Sequence, residues 1–248
     1  MSSAVFRWTL TTLLTTAVVG IPVAHELAGW PGVFTHMVFV YPLPFVLDWL
    51  WSPEHQLNLQ TLAANGFSRN YVLFTIISQG IGSTMLVAGV KHAFAGRFSQ
   101  GDFPEFEWFS LVVVLVNLVL AEVAFTAGHS LLHLVPALAP LHVMHHSCVK
   151  ATVSTNLIFD PIDLSIEIGG AVSMVVLSHV FWFQDAWGLS LSLLVIHLWY
   201  AYDHDPNLNL YHIQHHKYID SVYTIYTKVK LSDPKSDRVR DLVKRVEE

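Results

Sequence analysis

Eight of the fifteen histidines in this chain fall into three tight groups. His129 and His133 are four apart. His142, His145 and His146 follow as a His-x-x-His-His group, and His212, His215 and His216 repeat that spacing 70 residues later. Residues three and four apart share a helix face, so His129 and His133 are expected to point together, as is each trio. Neutral imidazole is a ligand suited to Fe, Zn, Cu and Ni. Eight donors are too many for one tetrahedral ion, and two metals with about four imidazoles each is the simplest allocation. His25, His36, His55, His92 and His179 stand alone and read as ordinary core or surface residues.

The elements that must carry these groups follow from composition. Hydrophobic residues make up 53% of 248 positions, charged residues only 13%, and mean hydropathy is +0.47, the balance of a membrane protein. The length fits one domain. Within it, 1–105 reads as N-terminal transmembrane helices, 106–231 as the histidine-bearing core and 232–248 as an amphipathic C-terminal helix. No basic face argues for nucleic acid. The single cysteine, Cys148, excludes an intrachain disulfide and any cysteine-based zinc or iron–sulfur site. It reads as a bystander beside the second group.

Apolar runs at 6–24, 33–51, 70–90, 107–128, 161–183 and 187–202 suggest an all-α integral membrane protein. Six crossings are preferred and four are the minimum, with a cytoplasmic histidine-rich cap. Pro22 favours a retained anchor over a cleaved signal peptide in the first run. Pro136 and Pro140 break the helix that carries the first group, because proline lacks the amide donor. Pro140 then suits the first residue of a new helix holding His142, His145 and His146. Asp160-Pro161 reads as an N-cap followed by the first helical position. After a turn at 184–186 the chain returns towards His197 and His204. A short helix from Leu210 holds the third group, residues 222–230 alternate as a weak strand, and Asp233-Pro234 caps a last helix. Its apolar stripe is Val239, Leu242, Val243 and Val246.

Charge and tryptophan placement agree with this layout. Eleven of the thirteen Lys and Arg fall on the side of the histidine groups, with only Lys91 and Arg97 opposite. By the positive-inside rule that side is cytoplasmic. All eight tryptophans, at 8, 30, 49, 51, 108, 182, 187 and 199, lie near span ends, as interfacial belts require.

A metal pair at the membrane face beside an apolar bundle suits chemistry on a lipid chain or ring. Such substrates offer C–H bonds, whose attack needs a strong oxidant. Two irons using O2 supply one, whereas zinc has no redox chemistry. Iron is thus inferred from the task, since imidazole spacing alone does not select it. Ligating histidines need outer partners, and Glu122, Asp163, Asp203, Asp205 and Asp220 are the candidates.

Across roughly residues 115–225 the sequence resembles the membrane fatty acid hydroxylase and sterol desaturase superfamily. The resemblance lies in the His-x-x-x-His box at 129–133 and the His-x-x-His-His boxes at 142–146 and 212–216. The short gap from His133 to His142 is similar to that of sterol methyl oxidases and sterol desaturases. It implies a non-heme diiron centre under a cytoplasmic cap, using O2 and electrons from a separate donor such as cytochrome b5 or ferredoxin, with its reductase. The sequence has no His-Pro-Gly-Gly haem-binding stretch, so a fused cytochrome b5 domain is not expected and the donor is expected to be another protein. The implied ligands are His129, His133, His142, His145, His146, His212, His215 and His216. A further histidine is expected shortly before the third box, with His197 preferred and His204 the alternative. No catalytic residue is expected beyond the metal ligands. Ser130 stands where the family usually has Arg, Thr126-Ala127-Gly128 where it has aromatics, and Ser221-Val222-Tyr223 where Asn-Tyr-Gly is common. These departures leave the ligands in place and bear on substrate and donor docking.

Other classes fit less well. His25-Glu26 begins a His-Glu-x-x-His pattern, but Gly29 stands where its second histidine must be. A divalent-metal transporter needs ionisable ligands within the membrane, and the spans hold few acids, chiefly Asp48 and Glu122. A catalytically silent relative of the oxygenases is the remaining alternative. The expected membrane is the endoplasmic reticulum in a eukaryote or the inner membrane in a bacterium.

Overall fold

The computed structural model describes residues 3–52, 54–79, 106–150, 152, 155, 157–204, 210–219, 223–224 and 237–244. Among them every regular element is helical. The elements are α1 (Ser3–Phe39), α2 (Leu43–Trp51), α3 (Glu54–Ala64), α4 (69–79) and α5 (Phe109–Leu134). They continue as α6 (Ala139–His146), α7 (Pro161–Ser178), a π-helical turn (His179–Phe183), α8 (Ala186–Asp203), α9 (Leu210–Tyr218) and α10 (Arg238–Leu242).

The centre of the molecule is α5 packed on α7 and α8. Ala121, Phe125, Ala171, Val175, Ile196 and Tyr200 form its apolar core. Gly128 allows a close approach of α5 to α7, since a Cβ there would stand 2.8 Å from the carbonyl oxygen of Ile166 on α7. Asn117 donates from its amide to Ser192 Oγ at 2.9 Å, joining α5 to α8 through a buried polar contact.

Helix α5 is arranged inside out compared with a water-soluble helix. Its buried face carries Ser110, Asn117, His129 and His133, while Leu111, Val112, Leu115, Val119 and Val123 are exposed. A surface of this kind is compatible with lipid, where polar groups must be satisfied inside the bundle. Among the described residues, three helical stretches are long and apolar enough to cross a membrane: Ala28–Asp48, Phe109–Leu134 and Pro161–Phe183.

That is fewer than the four to six expected. The run at 6–24 and the start of the run at 33–51 lie in α1 on either side of Gly29, whose φ of 60° and ψ of −154° are not helical. The two segments fold back on each other: His36 Nε2 stands 2.6 Å from the Ala17 carbonyl oxygen and Val33 packs against Ala17. Of these two runs, only the second lies in a qualifying stretch, which begins at Ala28. The run at 187–202 yields the shorter apolar segment Trp187–Tyr200. The run at 70–90 is described only to residue 79, as α4. Most of the expected strand at 222–230, the Asp233-Pro234 cap, Lys91, Arg97, His92, Asp205 and Asp220 also lie outside the described residues.

The proline and cap signals hold. Asp160 accepts from the Ile162 amide at 2.9 Å and Pro161 opens α7. Pro140 lies in the first turn of α6. The last helix starts later than expected, with Asp237 as its N-cap accepting from the Arg240 amide. Of its apolar stripe, Val239 is buried against Ala139 and Ile219 with Val243 beside it, whereas Leu242 is exposed.

The two ends of the α5–α7 pair differ in chemistry. Phe109 meets Phe183 at one end, where Phe106 meets Trp187 and Trp108 and Trp182 are exposed. His129 and His133 lie at the other end of α5, roughly 30 Å along at ~1.5 Å per residue. There α3, α6, α9 and α10 gather. Asn58 on α3 donates to the Lys150 carbonyl at 2.7 Å and accepts from its amide at 3.1 Å. Asn65, just after α3, makes the same pair with Lys244, at 2.7 and 2.8 Å.

Candidate metal centre

Seven of the eight box histidines, together with His204, come together as two groups of four. His129 and His133 from α5, His146 from α6 and His215 from α9 form one. His145 from α6, His204 at the end of α8 and His212 and His216 from α9 form the other. Within each group the donor atoms lie within 4.8 Å of one another. Every one of these rings is buried.

The Nε2 atoms converge. His133 Nε2 stands 3.1 Å from Nε2 of His129, of His146 and of His215. In the second group His216 Nε2 is 3.0 Å from His212 Nε2. Around one ion with metal–nitrogen bonds of ~2.0–2.1 Å, tetrahedral neighbours would be ~3.3 Å apart. The observed edges are close to that value. Nitrogen atoms so near one another, with little water in reach, are a donor set for a cation.

The opposite ring nitrogens face outward. His129 Nδ1 lies 3.2 Å from the Tyr223 carbonyl and His142 Nδ1 lies 2.9 Å from Asp163 Oδ2. His145 and His204 place Nδ1 3.4 Å from the Ile158 and Tyr200 carbonyls. An Nδ1–H donated outward leaves the Nε2 lone pair for metal. Nε2 of His142, His145 and His204 is buried with no hydrogen-bond partner among the described residues.

The trios do not act as units, contrary to the same-face expectation. Adjacent helical residues are separated by ~100°, so His145 and His146 join different groups, as do His215 and His216. His142 belongs to neither and sits with Asp163 and Glu167, at 2.9 and 3.6 Å from Nδ1. Its ring is nevertheless 4.6 Å from that of His146 and 5.3 Å from that of His145. It is His204, the alternative, that completes the second group. The preferred His197 lies on α8, about two turns earlier, and its side chain is outside the described set.

Of the expected carboxylate partners, Asp163 reaches a histidine, and Glu122 lies half-buried on α5. The side chain of Asp203 is outside the described set. Two acids were missed. Glu167 follows Asp163 by one helical turn, a spacing that could have flagged it. Asp237 stands 2.8 Å from His133 Nδ1, a close contact without the alignment of a hydrogen bond. Nothing local in the sequence signals it.

Burial shapes the protonation of the centre. It pushes the imidazoles of His145, His146, His212 and His216 well below their usual range, with neighbouring rings adding to the effect. His204 is lowered to about 4, again by burial. Asp237 is shifted upward by burial. Neutral imidazoles are the form that binds metal. His36 and His179, expected to be ordinary residues, contact main-chain oxygens of Ala17 and Asp185.

Comparison of the chain with protein-family models, with curated proteins and with solved structures gives no match in any of the three.

Proposed function

We propose that this chain is a membrane-bound, O2-dependent non-heme diiron oxidoreductase that hydroxylates or desaturates a lipid, and a member of the fatty acid hydroxylase and sterol desaturase superfamily. The observation that carries the reading is the pair of buried imidazole groups with converging Nε2 atoms. His129, His133, His146 and His215 would hold one ion, and His145, His204, His212 and His216 the other. His142 would face both.

Charge balance supports occupancy by cations. Two divalent ions bring four positive charges into a buried site that already holds the carboxyls of Asp163, Glu167 and Asp237. Buried charge is tolerated when paired. Bound iron would supply O2 activation and the oxidising strength to break a C–H bond, with electrons from a separate donor such as cytochrome b5 or ferredoxin. The protein's own part is to fix the rings and exclude water. Phe159 stacks on His145 with ring centroids 3.9 Å apart, and Phe125 meets His129 edge-on at 5.1 Å. The exposed apolar faces of the three long helices suit a lipid substrate drawn from the membrane. The Lys and Arg distribution supports a cytoplasmic position for the boxes.

Metal analysis and Mössbauer spectroscopy of protein from iron-replete cells test the reading. About two high-spin irons per chain are expected, one per imidazole group. Stoichiometric zinc without O2 consumption would overturn it, and metal uptake into sealed vesicles would favour a transporter. Lipid profiles of cells carrying the intact chain or its His145→Ala variant would then identify the substrate class.

A further inference from the structure

Beyond the third box the chain returns to the first one, with Tyr223 and Asp237 touching its two histidines. The Tyr223 carbonyl lies 3.2 Å from His129 Nδ1, and its ring stacks on His133 at 4.8 Å and 21°. The Tyr223 hydroxyl donates to Asp237 Oδ2 at 3.2 Å, and the same oxygen stands 2.8 Å from His133 Nδ1. All four residues are buried. Asp237 belongs to α10, which packs on α6 and α5 through Val239.

We infer that Asp237 is a positioning residue for the first metal site, holding His133 through Nδ1 while Tyr223 holds Asp237 and His129. The C-terminal segment is therefore one wall of the His129–His133–His146–His215 site, and the amphipathic helix is a part of the centre, not a separate tail. This rests on the metal-binding reading above and adds a role that the histidine boxes do not contain.

A carboxylate on Nδ1 does two things for a ligating imidazole. It keeps the proton on Nδ1, so that the Nε2 lone pair faces the ion, and it makes that lone pair more basic. His133 is the ligand for which this matters most, because its Nε2 is the atom from which the other three stand 3.1 Å away. A turned His133 ring would disorganise the whole group. The second group shares none of its four residues, so the effect falls on one ion of the pair.

Asp237 has a second task that the experiment must separate, since its Oδ1 caps α10 by accepting from the Arg240 amide. Serine is a good N-cap but is too short to reach His133 as well. Asp237→Ser therefore keeps the cap and removes the clamp. Asp237→Asn keeps the cap and an acceptor but loses the charge. Metal-free protein in detergent is titrated with Co(II) alone, followed by its visible ligand-field bands and by competition with a chelator. Melting of the metal-free protein serves as a fold control, and Asp241→Asn, an exposed neighbour, as a sequence control.

Wild type and Asp241→Asn are expected to bind two Co(II) per chain. Asp237→Ser should weaken one of the two sites about 10- to 100-fold and shift the bands of that site, while the metal-free protein still melts cooperatively despite the lost Tyr223 contact. Asp237→Asn should fall between. Two ions held equally tightly by wild type and both Asp237 variants would overturn this inference and leave the metal reading intact. Loss of affinity only in step with loss of the metal-free fold would overturn it too. A wild-type chain that binds no Co(II) would overturn both.

Discussion

His133 and His215 are 82 positions apart in the chain, and their Nε2 atoms are 3.1 Å apart in the fold. Nothing in either local segment requires that meeting. It arises because α5 ends where α9 begins to pack, and because α6 brings His146 to the same point.

Two independent groups predict two separable losses. His215→Ala should remove one iron and His216→Ala the other, each leaving roughly one ion per chain on purification. Turnover should vanish in both. His36→Ala, whose ring meets the Ala17 carbonyl oxygen away from the boxes, should keep both ions. Metal analysis on detergent-purified protein checks all three.

Acid should destabilise the metal-free protein in a defined window. The lowered pKa of His204 means that the unfolded chain takes up a proton below pH 6.5 that the folded chain refuses until about pH 4. The stabilisation is fully present above 6.5 and is lost as pH falls from there towards 4. At ~1.36 kcal/mol per unit this is roughly 3 kcal/mol for His204 alone. His145, His146, His212 and His216 act in the same direction. Melting curves between pH 8 and 4, chosen as roughly bracketing that window, should show a falling midpoint.

Gly128→Ala introduces a methyl where the Ile166 carbonyl oxygen is 2.8 Å away. The α5–α7 contact must open, with a destabilisation of about 1–3 kcal/mol. Because His129 and Asp163 sit on those two helices, iron content should fall as well. Denaturation and metal analysis of the same sample give the two readouts.

Asn65→Ala removes both hydrogen bonds to the Lys244 backbone. At ~0.5–1.5 kcal/mol each, the C-terminal segment should open more readily by about 1–3 kcal/mol. Faster amide hydrogen exchange at Lys244, with unchanged exchange in α5, is the expected result.

Much of this arrangement is legible in the sequence because caps and helix breakers act locally. Asp160-Pro161 fixes the start of α7 and Pro140 that of α6, and the apolar runs at 107–128 and 161–183 match α5 and α7. What escapes the sequence is set by tertiary contact. That His204 joins the second group depends on where α8 stops. The splitting of His145 from His146 depends on two sites lying on either side of α6. Asp237 meets His133 across 104 positions, which only the return of the chain beneath α6 brings about.

The completeness with which these rings are enclosed bears on how ions would be acquired under the proposed metal-binding reading. His129, His133, His145, His146, His215 and His216 have no solvent-accessible surface, and His212 and His204 expose only 1% and 2%. A cation would have no open path to them in the closed structure, so loading would accompany assembly or a transient opening, and exchange afterwards would be slow. The metal carried would then record which ion was abundant while the chain was being made, more than relative affinities measured at equilibrium.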